Sequence, residues 1–135
     1  MKELNTAYGL ASHGVGVGSF IYLRRVFELL VEEARQLASN EEGWDQKLFI
    51  ESRMKERITL LSMHLPSFLV ENAGMYSILS KGVHELTEEE CLNYFPAMKA
   101  GIELILDEKV EENLKKARLS EAKKAIEASL AKIKT

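Results

Sequence analysis

The sequence predicts an all-α protein: a bundle of four to five helices with a long N-terminal helix and a long C-terminal helix pair. Three observations carry this. Apolar residues recur at spacings of three and four from Phe20 to Leu37, which is the period of one helix face. The stretch "TEEE" places Thr87 three residues ahead of Glu90, the reciprocal cap that opens a helix. Only two prolines and eight glycines interrupt 135 residues, too few for a loop-rich β sandwich.

Taken in order, the first helix is expected from about Val15 to Ser39. Phe20, Leu23, Phe27, Leu30, Ala34 and Leu37 form its buried stripe, with Val31 and Ala38 on the same side. "SNEEG" then breaks it. A second helix is expected from Asp45 to His64, because Trp44, Leu48, Met54, Ile58, Leu61 and Leu65 share a face. Pro66 interrupts it, and "PSFLVENAG" reads as a short helical turn ending near Gly74. "MYSILSKGVHEL" suits a short helix, although its β-branched and aromatic residues also suit a strand. From Thr87 a helix should run to about Ala117, with Met98, Ile102, Ile105, Leu106 and Val110 buried and Pro96 kinking or restarting it. Ser120 can cap a last helix that carries Leu119, Ala122, Ile126, Leu130 and Ile133 on one side. No internal repeat or second domain is visible. Residues 1–135 therefore read as one domain, with 118–135 as a docking or dimerisation helix.

Composition limits the function. A hydrophobic fraction of 46% and a charged fraction of 29% are those of an ordinary globular protein. A net charge of −3 offers no global attraction to nucleic acid. Cys91 is the sole cysteine, so no internal disulfide can form and no cysteine-based zinc site can be completed within the chain. No apolar stretch is long enough to span a membrane, and "MKELNTAYGLASHG" is a poor signal peptide. Together these features fit a cytoplasmic protein without a membrane partner.

The run from His13 to Gly18 raises the question of a phosphate cradle. Gly14, Gly16 and Gly18 give G-x-G-x-G. A dinucleotide fingerprint requires different spacing and a preceding strand, and a Walker loop requires Gly-Lys-Ser or Gly-Lys-Thr. Ala11, Gly14 and Gly18 instead recur at helical spacing, so small residues would let another backbone approach. Alternatively the glycines form a loop and Ser19 caps the long helix. No cofactor is expected. An anion at that helix start is the remaining ligand reading.

Arg24 falls at the edge of the apolar stripe, and Glu28 follows one turn later, placed to pair with it. A partly buried arginine needs acceptors, and one carboxylate satisfies only part of its donor fork. A group from the later half should therefore join them, with His84 the first candidate and His13 the second. Arg24, Arg25 and Glu28 with His13 and His84 form the candidate polar cleft. The three histidines lie on different segments and give no metal signature. Serines 62, 77 and 80 lack the setting of a hydrolase nucleophile, and Cys91 reads as a small buried residue.

Two stretches, "GSFIYLRRVFELLVEEA" and "MYSILSKGVHELTEEECLNYFPAMKAGIELILDEK", resemble the HEPN-like helical domains of bacterial proteins over about residues 15–110. The resemblance implies a four- or five-helix bundle, frequent dimerisation, and in some members metal-independent RNA cleavage. That cleavage uses an arginine separated from a histidine by four to six residues. His84 and His13 have no such arginine, whereas Arg57 precedes His64 in "RITLLSMH" with six residues between. The leading expectation is a noncatalytic HEPN-like module that forms a homodimer or binds a protein partner. The alternatives are a metal-independent ribonuclease using Arg57 and His64, and a small-ligand or anion-binding domain.

Overall fold

The computed structural model describes residues 2–134; Met1 and Thr135 lie outside the described residues. Among them it is all-helical, with seven α-helices and no strand. These are α1 (Lys2–Ser12), α2 (Gly16–Ala38), α3 (Gln46–Glu51), α4 (Met54–Leu60), α5 (Ser67–Glu71), α6 (Met75–His84) and α7 (Glu88–Lys134), with a 3-10 turn at Ser62–His64. The central element is α2. It packs against α1, α6 and α7, and α5 packs on α7.

The long helix follows its apolar period. Phe20, Leu23, Val26 and Phe27 are wholly buried, and Leu30, Val31, Ala34 and Ala38 nearly so. Leu37 departs from the expected stripe and lies 56% exposed. The segment before it, for which the sequence predicts no element, is α1. Ala7 is completely buried, and Leu4, Tyr8 and Ala11 pack around it at helical spacing.

The expected helix from Asp45 to His64 is three pieces. Asp45 does open a helix, its carboxylate accepting from the Leu48 N–H at 3.0 Å. Ser52 and Arg53 then adopt extended backbone, with ψ of 153° and 166°. Arg57 turns back and donates Nε to the Phe49 and Ser52 carbonyls at 3.0 Å, and Nη2 to the Ile50 carbonyl at 2.9 Å. Carbonyls that a continuing helix would bond are thus satisfied by a side chain. The interruption shifts the apolar phase, so Phe49 is buried and Leu48 is exposed.

The opposite correction applies at the C-terminus. In place of a helix pair, α7 is one helix of 47 residues. Its start matches the sequence: the Thr87 N–H donates to Glu90 at 3.0 Å, and the Glu90 N–H donates to Thr87 Oγ1 at 3.1 Å. Pro96 lies inside the helix without ending it. Ser120 caps nothing, because "KKARLSEAKKA" contains only residues a helix tolerates and no glycine or proline. The added α1, the split second helix and α5 in place of a turn add three helices and the fused last pair removes one, so the count is seven and not four or five.

Candidate functional site

Helix α6 runs antiparallel to α2. Tyr76, near its start, stacks at a tilt on Phe27 at 5.5 Å, while Gly82 near its end lies against Phe20. This pairing brings Tyr76 to Glu28, and the phenol donates to Glu28 Oε2 at 2.8 Å. Arg24 lies one turn before Glu28, half-buried, with its Nε buried and without a hydrogen-bond partner. Burial raises the Tyr76 pKa first, and the hydrogen bond and charge of Glu28 raise it further; Ser80 and Arg24 oppose the rise. The result is a phenol kept protonated, donating to a carboxylate beside a guanidinium.

The structure thus joins Glu28 to a group from the later half, Tyr76, whereas among the described residues Arg24 forms no ion pair with Glu28 and its Nε has no hydrogen-bond partner. His84 is exposed at the end of α6, eight residues beyond Tyr76, roughly 12 Å along the axis. His13 is exposed at the end of α1, its Nδ1 2.8 Å from the Gly9 carbonyl oxygen. Arg25 is exposed over the Tyr22 ring at 4.7 Å, and with Glu3, Glu28 and Glu32 it lines a shallow cleft of about 350 Å³. Tyr76 and Ser80 had no separate signal in the sequence beyond their one-turn spacing on a short amphipathic segment.

The glycine run has a different use from any ligand cradle. Gly14 adopts a positive φ of 78° and turns the chain between α1 and α2. Gly16 begins α2, and its N–H donates to Glu88 Oε2 at 2.5 Å, with the Val17 N–H on the same oxygen at 3.1 Å. The anion at this helix start is the protein's own carboxylate, delivered by α7. Ser19 donates inward to the Gly16 carbonyl at 2.6 Å and is wholly buried.

The other candidate residues are also engaged. Beyond its three carbonyl contacts, Arg57 lies over the Phe49 ring at 4.8 Å. His64 Nε2 pairs with Glu41. Cys91 is buried, its thiol donates to the Gly82 carbonyl at 3.4 Å, and burial raises its pKa. Among the described residues no group of three or more His, Cys, Asp or Glu side chains could hold a metal ion, and no helix is long and apolar enough to cross a membrane.

The fold and this site define an all-helical protein whose best-formed polar cluster ties two helices together. Comparisons with protein-family models, curated proteins and solved structures gave no match.

A phenol donating to a half-buried carboxylate carries a measurable share of stability. Tyr76→Phe should cost about 1–2 kcal/mol in urea denaturation near neutral pH. The raised pKa fixes the pH dependence. The Tyr76 contribution is complete below the ordinary phenol value of 10.0 and is lost as pH rises through the higher folded value. The stabilities of wild type and variant should therefore converge in alkali.

Proposed function

We propose that this chain is a noncatalytic, HEPN-like helical module of the bacterial cytoplasm that works by self-association. One observation carries the reading. From Val110 to Lys134 every residue of α7 is exposed. This length nevertheless carries Leu119 and Ile126 at 60% exposure, Leu130 at 51% and Ile133 at 81%. A helix without tertiary packing is marginal in water, and an apolar stripe held in solvent is the mark of a surface that meets another protein. The compact core around α2 and the single buried cysteine accord with a protein built for a reducing compartment.

The enzyme alternative has less support. A ribonuclease would need the Arg57 guanidinium beside a free His64, but Arg57 closes α3 and His64 pairs with Glu41. The anion-binding alternative would need the first N–H groups of α2, which Glu88 already occupies. The test is the solution mass by light scattering at micromolar concentration, where a dimer is expected and a monomer would overturn the reading. Incubation with RNA in metal-free buffer should give no cleavage; cleavage lost on Arg57→Ala would favour the ribonuclease instead.

A further inference from the structure

The same helix carries both halves of a self-complementary surface. Its N-terminal part forms one wall of an apolar groove of about 550 Å³, lined by Phe68, Met75, Ile78, Ala97, Gly101 and Leu104 among others. Ile78 and Leu104 remain exposed at its edge. The small residues Ala97 and Ala100 leave room there for an incoming side chain, while the Met75 side chain packs over Gly101. The C-terminal part carries Leu119, Ala122, Ile126, Leu130 and Ile133 within one face. Gly101 and Ile126 are equally far along the helix from the point between residues 113 and 114.

The charges around that point select a direction. Glu111 and Glu112 precede it, and Lys115 and Lys116 follow it. Two such helices side by side and parallel would set acid against acid and base against base. Antiparallel, each glutamate pair faces a lysine pair. The wider balance agrees: residues 111–134 hold seven basic against four acidic side chains, while residues 1–110 hold eleven against seventeen. The tail of one copy is therefore drawn to the body of another and repelled by a second tail.

Resting on the reading of the chain as a self-associating module, we infer that two copies pair antiparallel about a two-fold axis near residues 113–114. The Leu119–Ile133 stripe of each copy seats in the groove between α5, α6 and α7 of the other. The contact is isologous and closes at two.

The test is sedentary in its materials: full-length chain, light scattering and analytical ultracentrifugation, with far-UV dichroism to follow the fold. Ile126→Asp, at an exposed position, should weaken dimerisation at least about tenfold while leaving the melting temperature of the body unchanged. Glu111→Lys with Glu112→Lys should weaken it by about tenfold as well, as should Lys115→Glu with Lys116→Glu, since each replaces facing opposite charges by like ones. All four changes in one chain should restore dimerisation to near the wild-type level. The intrachain Glu112–Lys116 pair, at 3.7 Å, is disturbed by each half-swap too, so helicity is read beside mass. A wild-type monomer would overturn both this inference and the proposed function. A dimer indifferent to Ile126→Asp would overturn the interface and leave self-association standing. Sensitivity to Ile126→Asp without rescue by the fourfold swap would overturn the antiparallel register.

Discussion

Gly16→Ala and Gly82→Ala should each lower stability by about 3 kcal/mol, whereas Gly18→Ala should change it by less than about 1 kcal/mol. A Cβ on Gly82 would lie 2.0 Å from Cδ2 of Phe20 and 2.7 Å from Cε2. Phe20 is wholly buried in the middle of the core, so its ring cannot swing aside and α6 must lift from α2. A Cβ on Gly16 would lie 2.4 Å from the backbone oxygen of Glu88 and 2.8 Å from Cβ of Cys91. Backbone cannot yield there without separating α2 from the start of α7, and the Glu88 cap would go with it. At Gly18 the nearest atoms are the ends of Val15 and Leu10, at 3.0 and 3.3 Å. These side chains can shift, and alanine recovers the helix propensity that glycine forgoes. Urea denaturation of the three variants checks the ranking. Equal losses at all three positions would show that close approach does not set the requirement for glycine.

This ranking marks how far the sequence could be read. Spacing in "ASHGVGVGS" was enough to favour packing over a phosphate cradle and to suspect a close approach. It pointed to Ala11, Gly14 and Gly18 for that approach, whereas Gly16 makes it, because the contact depends on where α7 starts in space. The same limit appears in the long apolar helix, where the period located α2 to within a residue at each end. The buried stripe failed only at Leu37, although Ala38 beside it is buried. Helix breaks were harder. The interruption at Ser52 rests on Arg57 turning back to bond three carbonyls, and no propensity scale registers a side chain that does this. The continuity of α7 was legible in principle, since "KKARLSEAKKA" has no breaker, but Ser120 offered a cap that a helix already running through had no use for. At the site, the cost of a lone buried charge argued for a later group that joins Arg24 and Glu28, but only Glu28 gains such a partner, and Arg24 Nε has none. Tyr76 could not be singled out, because its role follows from the antiparallel run of α6 along α2.

Removing the two carboxylates by which α7 grips other helices should be the most damaging change that leaves the core untouched. Glu88 caps α2 from outside through the Gly16 and Val17 N–H groups. Glu108 does the same for α5, accepting from the Ser67 N–H, from Ser67 Oγ at 2.8 Å and from the Phe68 N–H at 3.3 Å. Each satisfies donors that a helix start leaves open, and neither Val15 nor Pro66 at the helix starts can supply a side-chain cap. Loss of such a cap costs about 0.5–2 kcal/mol. The two sites are twenty residues apart on α7, roughly 30 Å, so their effects should add. Glu88→Ala with Glu108→Ala should therefore cost about 1–4 kcal/mol, a large part of a typical domain's stability at the upper end. Acid gives an independent check on Glu108. Burial raises its pKa, but the Ser67 hydroxyl and the Ser67 and Phe68 N–H groups together hold it below the ordinary 4.5. Its contribution is then complete above that ordinary value and is lost as pH falls through the lower folded one. Wild type should lose stability faster than Glu108→Ala over that acid range, and the gap between them should close. Since α7 bears both the groove wall and the apolar stripe, the doubly substituted chain should also dimerise more weakly as its α7 loosens. A double variant as stable as wild type at neutral pH would mean that packing alone holds α7 in place.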